Sequence, residues 1–358
     1  MMKLLNKAAL TALTSLGFAL AVKKIQRESR AIDFEHRSVL ITGGSRGLGL
    51  VMARLLADEG ARLALVARDE AGLERARADL TSRGAAVLII PADIRNQGEA
   101  RQAVEQVIDR YGRLDVLINT AGVIQVGPLD HMDVSDFENA MAVHTWGPLY
   151  TMLAAIPYMR RQGGGRIANI SSIGGKISVP HLAPYCTSKF ALIGLSDGMR
   201  AELAQDKIYV TTVCPGLMRT GSHMNALFKG DHQGEFTWFS LFDALPVTSI
   251  TAENAARQII EACRYGDPSL VITIQARLAA LMNEISPRLM ATGMMLFNYL
   301  LPGPSQDQEA DRLKTGWESQ SDWAPSMITY PADQAVMKNN ELKGHSPAEL
   351  SEESQTKR

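Results

Sequence analysis

Between residues 38 and 275 the chain repeats one pattern, a short run rich in Val, Ile and Leu followed by a longer amphipathic stretch. The runs at 38–42, 62–66, 86–90, 115–119, 166–170, 208–214 and 269–273 are apolar nearly throughout, as strands covered on both faces must be. Helical spacing follows near 47–59, 69–82, 96–111, 135–160, 184–206 and 252–265. Strand–helix alternation repeated this often predicts an α/β fold with a doubly wound parallel sheet.

Composition narrows the function classes. Of 358 residues, 46% are hydrophobic and 21% charged, which suits a large folded core and excludes a mostly disordered chain. Net charge is −1, so nucleic acid is not expected as the main partner, because phosphate backbones demand clustered positive charge. The three cysteines, Cys186, Cys214 and Cys263, are widely spaced and odd in number. They form no disulfide framework and no metal-ligand pair, so no metal is expected and a reducing, cytoplasmic setting fits best.

Outside the repeating body the chain divides into three parts. Residues 1–37 carry seven bases against three acids and enclose an uncharged run at 8–22, AALTALTSLGFALAV. That run is short for a membrane span, which needs about 20 residues. It is open to three readings: a secretory signal, an interfacial helix giving peripheral membrane contact, or a helix packed on the protein's own surface. Residues 276–302 are apolar and Met-rich, broken by Pro287 and Gly293, and predict a helical extension. It reads as a pair covering the core, a substrate lid or a second membrane contact. Residues 303–358 hold ten acids and six bases and read as a loosely ordered tail with short docking segments.

The first apolar run leads directly into Thr42-Gly43-Gly44-Ser45-Arg46-Gly47-Leu48-Gly49. A glycine turn between a strand and a helix is the setting of a dinucleotide site. Gly43 permits a tight turn, Gly47 a close approach of backbone to pyrophosphate, and Gly49 close helix packing, while helix N–H groups face the phosphates. At the end of the second run, an acid would bond the ribose 2′-hydroxyl of NAD. Ala67 stands there, followed by Arg68, and with Arg46 it makes two guanidinium groups suited to a 2′-phosphate. NADP(H) is therefore expected; the alternative makes Arg68 a solvated helix-start residue and Asp69 the ribose ligand. Asp93 and Ile94 follow the third run, where Asp93 is placed for the adenine edge. Asn119, Ala121 and Gly122 end the fourth, where small residues let a cofactor lie on the backbone.

Tyr185 and Lys189 lie four apart and share one helix face, a spacing no other tyrosine has to a lysine. A nearby ammonium favours phenolate and lowers the tyrosine pKa from about 10 toward working pH. Tyr185 can then donate a proton to a carbonyl oxygen or accept one from an alcohol. Ser172, 13 residues earlier, can hold the same oxygen.

At these residues the chain resembles the short-chain dehydrogenase/reductase family. Thr42-Gly43 with Gly47 and Gly49, Asn119 with Ala121-Gly122, Ser172, Tyr185 with Lys189, and Pro215-Gly216 followed by Thr220 occur in that family's order, over about residues 38–275. The resemblance implies a Rossmann fold and hydride transfer between nicotinamide and a carbonyl or alcohol carbon. It implies Tyr185 as acid/base, Ser172 as substrate orienter, Lys189 as ribose ligand and modulator of the tyrosine, and Pro215, Gly216 and Thr220 beside the nicotinamide. It also implies a homo-oligomer. Two residues depart from the pattern. Thr120 replaces an Asn, and His144 stands where the family has a catalytic Asn behind the lysine. Histidine donates and accepts hydrogen bonds and titrates near neutrality, so His144 is expected to replace that Asn in the proton relay, with a packed helix histidine as the alternative.

The segment after Thr220 carries Phe228, Phe236, Trp238, Phe239 and Phe242. Apolar walls suit a hydrophobic carbonyl or alcohol substrate, and an aromatic core or subunit interface is the alternative. The leading expectation is an NADP(H)-dependent oxidoreductase; the other is a catalytically weak NADP-binding scaffold or redox sensor.

Overall fold

The structure, a computed structural model, describes residues 21–342 except 246, 247, 308 and 327. Residues 8–20 of the run at 8–22 lie outside the described residues, so its three readings stay open. No helix among the described residues is long and apolar enough to cross a membrane.

Seven strands form one parallel sheet: β1 (Ser38–Thr42), β2 (Arg62–Ala67), β3 (Val87–Pro91), β4 (Val116–Asn119), β5 (Gly165–Ile170), β6 (Ile208–Pro215) and β7 (Ser269–Ile272). Their order is β7-β6-β5-β4-β1-β2-β3. The chain winds outward from β1 in one direction, then returns past it through β4 and winds out the other way. β1 thus pairs with both β2, Ile41 opposite Leu65, and β4, Ile41 opposite Ile118. The crevice at that reversal, outside the carboxyl ends of β1 and β4, is where open α/β sheets bind ligands.

Helices cover both faces. α1 (Gly47–Asp58), α2 (Glu70–Ser82) and α8 (Ala252–Tyr265) bury Leu50, Met52, Leu56, Leu73, Leu80 and Ile259 against one face. α3 (Gln97–Tyr111), α5 (Gly147–Arg161) and α6 (Ala183–Leu203) bury Val104, Val107, Met152, Met159 and Leu203 against the other. Leu40, Ile41, Leu63 and Leu65 in the central strands are fully buried, each worth about 1.5–3 kcal/mol. The near-continuous apolar runs of the sequence follow from this double cover.

The helix expected at 135–160 is interrupted. α4 (Val134–Met141) passes through a wider π turn, Ala142–Trp146, before α5. Pro148, at the start of α5, has no N–H to continue an α-helical ladder, and a π turn accommodates the break.

Beyond the sheet, α7 (His232–Ala244) covers a third cluster built on Phe228, Phe236, Phe239, Met224 and Val336. The extension at 276–302 is a helical pair, α9 (Ile274–Ile285) and α10 (Pro287–Asn298), which buries only Ala276, Ala280 and Met290. It covers little core. Residues 303–342 do not form a loose tail. They include a strand pair between Lys314–Thr315 and Leu227–Phe228, buried Ala324, and α11 (Tyr330–Lys338), whose Ala332, Ala335 and Val336 are buried. Short polar segments here gain order through specific partners that composition does not reveal.

Candidate active site

The carboxyl end of β5 and the first turns of α6 bring the three expected catalytic residues together. The side chain of Ser172, just past β5, accepts from Gly174 N–H (3.0 Å) and hydrogen-bonds with the Tyr185 phenol. One turn further along α6, buried Lys189 donates from Nζ to the carbonyl of Ile170 (2.9 Å) and lies 5.5 Å from the Tyr185 ring centroid. Burial pushes the Tyr185 phenol up to about 12, against the pull of its Ser172 hydrogen bond. Burial draws Lys189 down to about 7. The expected lowering of the phenol by the ammonium is therefore not the dominant effect in this structure. Both groups lose water on burial, and for each that loss is the largest cause of its shift.

His144 sits in the π turn, buried, its ring edge-on to Tyr185 with centroids 5.4 Å apart. Nε2 accepts from Val123 N–H (3.1 Å), which places the proton on Nδ1, facing Ser188 Oγ at 2.7 Å. Ser188 Oγ in turn donates to the Tyr185 carbonyl (2.7 Å). Burial and the neighbouring Lys189 charge hold the imidazole well below its usual range, so it stays neutral. Both ring nitrogens are thus hydrogen-bonded, one to main chain and one to a hydroxyl. Through these bonds the ring ties the π turn to α6 and to the segment after β4.

The glycine turn has its expected form. Gly43 adopts φ +69°, and a Cβ there would lie 2.7 Å from Ala121 Cα; a Cβ on Gly49 would lie 2.2 Å from the Gly43 carbonyl oxygen. Only glycine permits this contact between the turn, helix α1 and the Ala121-Gly122 segment. Leu48 is buried, and Ser45 and Arg46 lead into α1.

Over this turn lies a segment that sequence reasoning missed. Gly47 N–H donates to the Asn339 carbonyl (2.8 Å). Asn340 Nδ2 donates to the carbonyls of Ser45 (2.7 Å) and Gly72 (3.0 Å), and Arg75 Nε donates to Asn340 Oδ1 (2.7 Å). The Glu341 carboxylate pairs with Arg46 at 3.2 Å and accepts from Asn225 Nδ2 at 2.6 Å. The only sequence signal was weak: α11 has apolar residues at 332, 335 and 336, a short helical stripe followed by the Asn-Asn pair.

Other expected cofactor residues divide into free and committed groups. Arg68 is exposed at the end of β2. Asp69 caps α2, accepting from Gly72 N–H (3.1 Å), so its carboxylate is already used by the helix. Asp93 is paired with Arg95, and Ile94 packs near Gly147. The Asn119 side chain is turned into the protein, donating to Asn169 (2.9 Å) and accepting from Thr151 (2.8 Å), which leaves only backbone to face a ligand there. Pro215 ends β6 and Gly216 N–H bonds the Ile272 carbonyl (3.3 Å). The Thr220 hydroxyl donates to Ser222 Oγ (2.9 Å), while its carbonyl accepts from Asn339 (3.1 Å). Of the five aromatic residues expected to wall a substrate, Phe228, Phe236 and Phe239 are core. Trp238 and Phe242 instead cluster edge-on with Phe297 of α10, 6.3 and 5.9 Å between centroids.

The chemistry of this donor set fits a dinucleotide. The turn already receives one anion, the Glu341 carboxylate, beside the N-terminus of α1, as a phosphate would be received. No group of His, Cys, Asp and Glu among the described residues could hold a metal.

Comparison with known proteins follows the same lines. A family model described as short chain dehydrogenase matches residues 37–229. Dehydrogenase/reductase SDR family member 7B of Danio rerio is 32% identical over 254 residues, 69% of this chain and 81% of that one. The putative oxidoreductase SadH of Mycobacterium tuberculosis is 30% identical over 271 residues, 74% of this chain and 98% of that one. Ketoacyl reductase HetN of a Nostoc species is 35% identical over 180 residues, half of this chain and 63% of that one. Among solved structures, a short-chain type dehydrogenase/reductase from Mycobacterium marinum superposes with a TM-score of 0.58 at 26% identity, covering 67% of this chain and 94% of that one.

Proposed function

This chain belongs to the short-chain dehydrogenase/reductase family, oxidoreductases that act on CH–OH and C=O groups with a nicotinamide cofactor, and on that footing we propose that it uses NADP(H) to interconvert a hydrophobic carbonyl compound and its alcohol. The observation that carries the reading is the meeting of Ser172, Tyr185 and Lys189 at the carboxyl end of β5. Gly43, Ser45, Arg46, Gly47, Leu48, Gly49 and the backbone of Asn119, Ala121 and Gly122 would hold the dinucleotide, with Pro215, Gly216 and Thr220 at its nicotinamide end. Bound there, the cofactor supplies or takes up the hydride.

The chain's own groups handle the oxygen and the proton. Ser172 Oγ fixes the substrate oxygen, and Tyr185 Oη gives it a proton in reduction or takes one in oxidation. A phenol held near 12 stays protonated at working pH and cannot take up the alcohol's proton, so oxidation needs a charged Lys189 to favour the phenolate. It becomes so when polar groups join the Ile170 carbonyl around its Nζ, which is the part assigned to a ribose. NADP(H) over NAD(H) is supported by Ala67, exposed Arg68, and the use of Asp69 as a helix cap. A hydrophobic substrate is supported by the Trp238–Phe242–Phe297 cluster, and a carbonyl group by the name of the Nostoc relative, a ketoacyl reductase. A homo-oligomer and a peripheral membrane contact through the N-terminus complete the reading, with the outward apolar face of α9 and α10 favouring association.

The test is Tyr185→Phe. NADPH oxidation across a panel of aliphatic and aromatic ketones should fall at least about a hundredfold, with NADPH binding retained by fluorescence titration. Undiminished turnover rules out Tyr185 as the acid. His144, standing where the family has an Asn and hydrogen-bonded at both ring nitrogens, favours a second reading, a weakly catalytic NADP-binding scaffold, and steady turnover by the parent chain on any ketone in the panel excludes it.

A further inference from the structure

The segment seated on the glycine turn is the chain's own. Glu341 places a carboxylate beside Arg46 and the first residue of α1, so near that a Cβ built on Gly47 would lie 2.6 Å from Glu341 Oε1. These are the groups a phosphate requires, namely a guanidinium, a helix N-terminus and a glycine without a side chain in the way. Two anions cannot share that space. Asn340 then bridges from the Ser45 carbonyl to the Gly72 carbonyl, closing the gap between the glycine turn and the start of α2. Both segments must face an adenosine ribose for Arg46 and Arg68 to read its 2′-position.

The segment is also well anchored. Immediately before it, α11 buries Val336 against Gly221, where a Cβ would come within 2.7 Å of Val336 Cα. Asp333 meets buried His223 at 3.2 Å and accepts from Thr329 at 2.7 Å; Lys338 pairs with Glu253. Asn339 Nδ2 holds the Thr220 carbonyl. These contacts keep Glu341 at the turn as a tethered competitor.

We propose that Glu341 is a cofactor-selecting residue: segment 339–341 occupies the phosphate side of the dinucleotide site, and a cofactor binds by displacing it from Arg46 and Gly47. The proposal rests on the nicotinamide reading above and adds a consequence to it. A ligand that needs Arg46 for its 2′-phosphate meets Glu341 directly, so the strap weighs more heavily on NADP(H)-type ligands than on NAD(H)-type ones.

The test is calorimetric titration of the full chain, of Glu341→Gln, and of a chain ending after Lys338, with adenosine 2′,5′-bisphosphate and with ADP. Glu341→Gln keeps the side chain's shape and its bond to Asn225 while removing the charge. It is expected to tighten the 2′,5′-bisphosphate about tenfold, the scale of one charge-assisted hydrogen bond, and to tighten ADP less. Ending the chain after Lys338 should extend both gains. Equal or weaker binding of the bisphosphate by Glu341→Gln overturns the strap and leaves the nicotinamide reading standing. Absence of binding by all three chains overturns both. If the shortened chain fails to fold, Glu341→Gln decides alone.

Discussion

The two segments appended to the sheet, the α9–α10 pair and the strap around α11, invert what their compositions suggest. The apolar pair turns its large residues outward. On α9, Ile274, Leu278, Leu281, Met282 and Ile285 form one exposed stripe opposite the buried Ala276 and Ala280. Met290 is the large residue that turns inward, and the exposed large residues of the pair and its end run from 46% at Met282 to 81% at Leu300. The polar segment turns inward: Asn339, Asn340 and Glu341 are buried, and each bonds backbone or side chains of the sheet body. Hydropathy reports what a residue loses by meeting water, whereas burial of a polar residue depends on whether partners wait at the site. The strap has those partners, and the hairpin has no comparable cover among the described residues.

The comparison breaks most readily at Asn340. Asn340→Leu keeps the size but strands the carbonyls of Ser45 and Gly72 and the Arg75 guanidinium, and it should cost about 2–4 kcal/mol in urea unfolding. A loss below about 0.5 kcal/mol would mean the strap is not held by these bonds.

The anchor beneath the strap offers a smaller, pH-dependent effect. Burial raises the Asp243 carboxyl to about 6, against the pull of His223 and Arg219. A raised carboxyl contributes stability at acid pH that is lost as pH climbs from about 4 through 6, because the folded state holds a proton the unfolded chain has released. Asp243→Asn mimics the protonated form. It should be more stable than the parent at pH 8, by on the order of 1–3 kcal/mol, and should match it near pH 4. A constant difference between pH 4 and 8 would contradict that titration.

The smallest effect on stability belongs to the hairpin. Leu281→Gln with Ile285→Gln should move the unfolding free energy by less than about 0.5 kcal/mol, since both side chains already face water. The same double variant should lower self-association in sedimentation velocity, because it removes part of a continuous apolar stripe. A large stability loss would show that the stripe is covered within one chain.

Much of the body was legible because parallel strands under helices leave a strong mark. The runs at 38–42 and 62–66 match β1 and most of β2, and the four-residue spacing of Tyr185 and Lys189 places both on one face of α6. The strand order was not legible, since spacing along the chain says nothing about which edge β4 joins. The π turn was not legible either, because its one-residue shift lies inside an otherwise ordinary amphipathic pattern, and the bonds of His144 to Val123 and Ser188 come from that turn's place in the fold. The strap was hidden for another reason. Asn339 and Asn340 bond mostly main-chain carbonyls, which every sequence has, so no complementary residue type betrays the partner.

The contact of Val336 with Gly221 joins residues far apart in the chain, and that separation has a consequence for biosynthesis. Translation delivers β1 through β7 before any residue of α11 exists, and amino-terminal parts of a chain fold first as they leave the ribosome. A nascent chain therefore carries an uncovered glycine turn until α11 and residues 339–341 have been made, so the bonds of Asn339, Asn340 and Glu341 to that turn close onto a sheet already assembled.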